Sequence, residues 1–391
     1  MTSNLKAICA AALAVAAMAP AAQAETTIKL GASVPLTGAG ATWGQASEWA
    51  CKRAAKEINE AGGVKMGEET AKFECVAYDN KYTAADGSKV AQTLINRDRV
   101  SYALVIGTGP AQALQSLSER AGVPIFTASW AASIKGEKTP LSFTLINTPL
   151  EVMPPMVDYV TKTHPEAKTV SLLFANDATG NETEPVSLDA WKSAGVEVLH
   201  SDRYERGTTD FQPIALRLAS GDPDIIDLGS TPPADAGLIF KELANLGWTG
   251  IKTLPAAAAA DGLKATGGAA VEGVYMALSI PLQGEDVPEK LAKLNEDHLR
   301  DLGEAASSTT LGVYDTVYAI KAGIEQVGAN DPKQVAEVLG SLEFDSIYGG
   351  KAHFGGAEIY GVPRQIQVPV FVTQVVDDKL ETRLRVDPPA K

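Results

Sequence analysis

Chemistry on a substrate needs a nucleophile beside a base, a cluster of metal ligands or a cradle for phosphate. The four histidines, His164, His200, His298 and His353, are scattered along 391 residues and none belongs to an H-E-x-x-H pair. There is no G-x-S-x-G elbow, and Asp222 and Asp224 flank Pro223 as turn residues do. Gly38-x-Gly40 and Gly107-x-Gly109 each follow an apolar strand pattern. Their sixth positions are Trp43 and Gln112 where a dinucleotide loop needs glycine, and no acidic residue follows the first at the ribose-binding distance. Catalysis therefore has no positive support, and neither a cofactor nor a metal is expected. The residues that remain suit holding a molecule: Trp43, Thr108, Gly109, Ser129, Trp130, Ala131, Thr179, Thr231, Pro232 and Ala256, all in loops after apolar strands. Hydroxyls and aromatic faces occur together there, and helices begin just beyond most of these loops. Their free N–H groups and positive dipole ends favour an anionic group such as a carboxylate.

The elements that would position these residues alternate. Thr27–Val64 sets the pattern: an apolar strand over Ile28–Val34, a loop with Pro35, Gly38, Gly40 and Gly44, then a helix from about Gln45 to Ala61, stopped by Gly62-Gly63. Strands follow over Phe73–Tyr78, Tyr102–Ile106 and Val123–Thr127, with helices over Ala84–Arg97 and Ala111–Ala121 between them. A second series begins near Pro149, with strands over Thr169–Phe174, Val196–Ser201 and Asp224–Leu228 and helices over Glu184–Ala194, Asp210–Ala219 and Ala234–Leu246. Further on come a strand over Val274–Ile280, helices over Pro288–Leu302, Thr310–Val327 and Pro332–Leu342, and strands over Val368–Val376 and Leu380–Val386. Such alternation predicts an α/β fold with two doubly wound, mostly parallel sheets, each in its own lobe. Ligands bind such sheets at the carboxyl ends of the strands.

The composition fits that reading. At 45% hydrophobic and 21% charged, the chain has an ordinary globular makeup and enough length for two domains. A formal net charge of −14 argues against nucleic acid and against an anionic membrane surface as partners. Residues 1–24 read as a cleaved export leader: Lys6 supplies the positive region, Ala7–Ala19 the apolar stretch and Ala22-Gln23-Ala24 the cleavage site. A periplasmic location follows. Removing the leader removes Cys9 and leaves Cys51 and Cys75 on neighbouring elements. An exported pair of this kind is a disulfide candidate; the alternative is two buried thiols packed as small hydrophobes.

The strand-loop GASVPLTGAGATWG, the helix end EINEAGGV and the later motifs DFQPIALRL, DPDIIDLGS, ELANLGW and GVYDTVYAIKAGIE occur in order across nearly the whole mature chain. In this the sequence resembles the periplasmic substrate-binding proteins of ABC transporters, in the branched-chain amino-acid (Leu/Ile/Val) family. The resemblance implies type I architecture, with two discontinuous lobes joined by three crossovers near Thr148, Ile280 and Tyr360. The lobes would be residues 25–148 with 281–360, and 149–280 with 361–391. It also implies a small-molecule ligand held by hinge closure, an inner-membrane ABC permease as partner, a monomer and no chemical turnover.

Carrying the family's amino-acid site over gives Trp43 as the aromatic that closes on the ligand side chain and Ser129 as a main-chain contact. The hydroxyl residues that hold the ligand carboxylate align with Ala111 and Ala131, the acidic partner of the α-ammonium with Ala256, and the second-lobe aromatic with Thr179. A buried ammonium without a carboxylate partner is strongly disfavoured. An aromatic or other hydrophobic carboxylate is therefore expected, with an amino acid held by rearranged contacts, or a sensing role beside a membrane receptor, as alternatives. Bland readings stand beside these: Trp43 as a lid over its helix, Trp130 as interlobe packing, and Thr108 and Ser129 as turn residues bonding their own backbone.

Overall fold

The computed structural model describes residues 26–38, 40–256, 260–278, 280, 282 and 287–389. The expected leader, the mature start at Glu25, Ala257 to Ala259 and Pro281 lie outside the described residues.

Near-continuous apolar strands need cover on both faces, and the strands here form two such sheets. The first has nine strands in the spatial order Glu343–Asp345, Lys351–Gly355, Gln365–Ile366, Ser142–Thr144, Ile125–Ala128, Tyr102–Ile106, Thr26–Val34, Glu69–Asp79 and Val64–Met66. The second has seven, in the order Lys379–Val386, Val370–Val376, Tyr275–Met276, Ile251–Leu254, Ile225–Asp227, Thr169–Ala175 and Glu197–Tyr204. The central pairings of both are parallel and the antiparallel ones lie toward the edges. Each sheet reverses its winding beside its first strand: Thr26–Val34 lies between Glu69–Asp79 and Tyr102–Ile106, and Thr169–Ala175 lies between Glu197–Tyr204 and Ile225–Asp227. The reversal opens a crevice at the carboxyl ends of those strands.

The chain passes between the sheets three times. The first passage follows Thr144 and the second lies between Met276 and Glu343. The third falls between Ile366 and Val370, later than Tyr360, because Gln365 pairs with Thr144 in the nine-stranded sheet. Two short strand pieces, Tyr275–Met276 and Ser142–Thr144, stand where the sequence reads as a longer strand and as loop.

Both lobes use the same device to bring a helix against the crevice. The helix Ala41–Glu60 starts four residues before the expected Gln45, so Trp43 lies in its first turn. Gly44 permits this, since a Cβ there would stand 1.8 Å from the Pro35 carbonyl oxygen. In the other lobe the helix Ala178–Ser193 starts six residues before the expected Glu184, and a Cβ on Gly180 would stand 1.9 Å from the Ala175 oxygen. The glycines that read as loop punctuation are what lets each helix begin against its strand. Cys51, on the buried face of Ala41–Glu60, is joined by a disulfide to Cys75 of the adjacent strand, with Cα atoms 6.1 Å apart. On its far side the same helix packs against Ser308–Val327, a late segment of the chain.

Candidate ligand-binding site

The crevices of the two sheets face one another, and a cavity lies between them. It is lined by Trp43, Tyr82, Ile106, Ala128, Trp130 and Ile146 from the nine-stranded side, with Thr309 from the helix Ser308–Val327, and by Thr179, Ser230, Ala256 and Leu278 from the other. Its volume is ≈ 40 Å³. A single water needs about 10–15 Å³ by that measure, so the lobes stand close together here. They touch across the crevice where the Arg206 guanidinium carbon lies 4.6 Å from the Tyr82 ring centroid, and where Ser133 donates to Glu182.

The nine-stranded side is tightly held. Asp79 and Asn80 end the strand Glu69–Asp79 and organise two loops. The Asp79 carboxylate accepts from Leu36 N–H, Thr37 Oγ1–H and Lys81 N–H, fixing the approach to Trp43. The fully buried Asn80 amide donates to Ser33 O and Ile106 O, across the winding reversal, and its Oδ1 accepts from Tyr82 N–H. Tyr82 itself sits at φ 60, and its ring packs 5.7 Å from that of Trp43. Deeper in, Ser129 Oγ donates to Thr108 Oγ1 at 3.0 Å and accepts from Ala131 N–H. The Trp130 indole N–H donates to Asn147 O at 3.2 Å.

The seven-stranded side is held differently. Asp177 caps the helix Ala178–Ser193 through Gly180 N–H and takes the Arg206 Nε–H. Both terminal nitrogens of Arg206 are buried and have no hydrogen-bond partner within the protein. The same holds for Thr179 Oγ1, Ser230 Oγ, Thr231 Oγ1, Tyr204 OH and one Asp235 oxygen. Tyr204 OH lies near Thr231 and Asp235 without a well-directed bond to either. Burial works against the Arg206 charge, and the oxygens of Tyr82, Asp177 and Tyr204 outweigh it, so the guanidinium is protonated more firmly than usual. Burial pushes the Asp235 carboxyl up, partly offset by Arg206. Beneath the loop Gly229–Thr231, the fully buried Asp227 accepts from Trp191 Nε1–H and Gly229 N–H, and burial pushes its carboxyl up to about 6.

Four of the ten residues expected at the site, Trp43, Trp130, Thr179 and Ala256, line the cavity. Thr108, Ser129 and Ala131 lie behind it in the closed hydrogen-bond chain, and Gly109 continues the helix that Thr108 begins. Thr231 and Pro232 follow the lining residue Ser230, with Pro232 capping the helix Pro233–Asn245. Sequence reading singles out neither Tyr82, Ser230 and Thr309, which line the cavity, nor Arg206, which adjoins it behind the Tyr82 ring. Tyr82 and Ser230 sit directly after strand ends and were open to the same rule that found Thr231. Arg206 was out of reach because the strand over Glu197–Tyr204 reads as ending at Ser201. Among the described residues no group of His, Cys, Asp and Glu is placed to hold a metal ion, and no helix is long and apolar enough to cross a membrane.

Two doubly wound sheets that close on an aromatic-walled cavity define a two-lobed α/β architecture. The chain belongs to the periplasmic binding protein family, whose model matches residues 27–379. It is of type I, in the branched-chain amino-acid group, whose members bind solutes for ABC transporters and perform no reaction on them. It is 26% identical over 343 residues to a leucine-, isoleucine-, valine-, threonine- and alanine-binding protein of Pseudomonas aeruginosa, covering 87% of this chain and 89% of that one. Its fold is similar to that of a Thermotoga maritima leucine-binding protein (TM-score 0.78, 19% identity, 92% of this chain and 99% of that one). Its fold is also similar to that of a solute-binding protein of Rhodopseudomonas palustris in complex with 4-hydroxybenzoate (TM-score 0.77, 23% identity, 93% of this chain and 98% of that one).

Proposed function

We propose that this protein binds a small aromatic or otherwise hydrophobic carboxylate between its lobes and presents it to an inner-membrane ABC permease. The observation that carries the reading is the cavity wall. Trp43, Tyr82, Trp130, Ile106, Ile146 and Leu278 supply apolar and aromatic surface, Thr179, Ser230 and Thr309 supply hydroxyls, and no acidic side chain is among the lining residues. Ala256 stands where the family resemblance puts the partner of an ammonium. The similar fold of a benzoate-type binding protein is consistent with an amine-free acid, and that of the leucine-binding protein with an amino acid.

The protein acts as a monomer, exported by the leader over residues 1–24, with lobes of residues 25–148 with 281 to about 366, and 149–280 with about 370–391. Ligand entry requires the lobes to part about the three crossovers, and a ligand that contacts both lobes shifts the balance back to the closed form.

One observation favours a second reading. Asp235 presents a buried, unpartnered carboxylate oxygen beside the site, and an amino acid could place its ammonium there. A thermal-shift screen separates the two. The panel pairs branched-chain and aromatic amino acids with benzoate, 4-hydroxybenzoate and aliphatic acids. A ligand at 100 times its Kd stabilises by about 2.7 kcal/mol. Shifts with the amine-free acids alone are expected. Shifts with amino acids that vanish in Asp235→Asn would overturn the acid reading in favour of the second.

A further inference from the structure

We infer that Arg206 is the group that holds the ligand's carboxylate, so that the acid end points into the seven-stranded lobe. This rests on the proposed binding of an amine-free acid and assigns the polarity of that site. The resemblance places the carboxylate at hydroxyls in the other lobe, and there this chain carries Ala111 and Ala131, both fully buried. The neighbouring hydroxyls of Thr108 and Ser129 are engaged with each other, and the Ala131 N–H is taken by Ser129. The Ser129 hydroxyl proton and the Ala131 N–H are thus committed inside the protein.

Arg206 is the opposite case. Its Nε–H is fixed by Asp177, which sets the plane of the guanidinium. The Tyr82 ring covers it from the other lobe. Nη1 and Nη2, shielded from solvent, keep their N–H groups unused within the protein. A guanidinium presents parallel N–H bonds in a fork that matches the two oxygens of a carboxylate. Unmet buried donors on a charged group are strongly unfavourable, and a ligand that satisfies them recovers that free energy. Tyr204 OH and Thr231 Oγ1, also unpartnered, lie on the same side of the site and offer hydroxyl contacts to the same group. The aromatic body then lies toward Trp43 and Trp130, in contact with Thr179 and with Tyr82, which adjoins both parts. Because Tyr82 sits on the guanidinium only when the lobes are together, an anion held by Arg206 also couples recognition to closure.

The experiment compares benzoate with benzamide, an isostere without the charge, by titration calorimetry on the wild type, Arg206→Met and Arg206→Lys. For the wild type, the acid is expected to bind and the amide to bind more weakly. Arg206→Met should lose about 10- to 100-fold in affinity for benzoate and change its affinity for benzamide by less than about threefold. Arg206→Lys retains the charge beside Asp177, so it keeps the fold if Arg206→Met does not. It should still lose roughly tenfold for the acid because the fork is gone. Variants that bind benzoate within threefold of wild type, or that lose acid and amide alike, would overturn the assignment while leaving the acid-binding reading intact. A wild type that binds no amine-free acid would defeat that reading first.

Discussion

The two walls of the cavity are built by the same strand-glycine-helix device and end up chemically unlike. On the nine-stranded side, most polar groups at the strand ends answer one another: Ser129 with Thr108 and Ala131, Asn80 with Ser33 and Ile106, Trp130 with Asn147; Thr127 Oγ1 and Ser308 Oγ are left over. On the seven-stranded side, Arg206, Tyr204, Thr179, Ser230 and Thr231 each keep at least one buried polar atom unanswered. Satisfied groups fix a shape; unsatisfied ones wait for something that is not part of the chain. On the proposed function, the first wall serves as a scaffold with an aromatic lid and the second carries the recognition chemistry.

The largest expected effect probes the scaffold. The disulfide ties the Trp43 helix to its sheet, and Cys51→Ser with Cys75→Ser should lower stability by about 3 kcal/mol, read as a fall in the thermal midpoint. An unchanged midpoint would mean the nine-stranded wall does not depend on the bridge. Trp43→Ala comes next, with ligand affinity down by more than about tenfold and the circular dichroism spectrum intact. Unchanged affinity by calorimetry would take Trp43 out of the site and weaken the view of this wall as lid.

The sharpest contrast lies in a matched pair. Ser129→Ala leaves the Ala131 N–H unmet and should destabilise by about 1 kcal/mol with affinity within threefold of wild type. Thr231→Val replaces a hydroxyl that has no partner, so stability should stay within about 0.5 kcal/mol while affinity falls severalfold. If both variants behave alike, the two walls are not different in kind. The last effect is read against pH and concerns Asp227 below the second wall. Its carboxyl is raised to about 6 from an ordinary 3.8, so the folded state binds the proton more tightly than the unfolded chain. That contribution to stability is complete below about pH 4 and is lost as the pH rises through about 6. Wild type should therefore lose more stability than Asp227→Asn between pH 4 and pH 7 in parallel melts.

The scaffold was more legible in the sequence than the recognition wall, for physical reasons. Apolar strands such as Tyr102–Ile106, followed by glycine and a helix, announce a buried parallel sheet whatever their distant partners are. The two-sheet class and the placing of Trp43 and Trp130 at the cavity rest on such local signals, while the family rests on the order of motifs along the whole chain. Helix starts were read late because Gly44 and Gly180 look like loop residues until the carbonyls they pack against are known. Tyr82 enters the site through a left-handed backbone that a tyrosine rarely adopts. Arg206 lies in the turn just after the edge strand Glu197–Tyr204, whose half-exposed pattern is weaker than that of a buried one. What the sequence could not carry is pairing across lobes: that Ser129 is answered and Thr231 is not depends on residues far apart in the chain.

The threefold passage between sheets has a consequence for how the chain is made. Each sheet is finished by strands from residues 343–386, and the helix Ser308–Val327 covers the helix that opens the first lobe. Contiguous domains fold in order as they emerge from the ribosome. Here the first lobe cannot close until more than three hundred residues have followed its first strand, and the second waits almost for the last. For a chain exported by the proposed leader, that delay would keep a finished lobe from forming before the early residues have crossed the membrane.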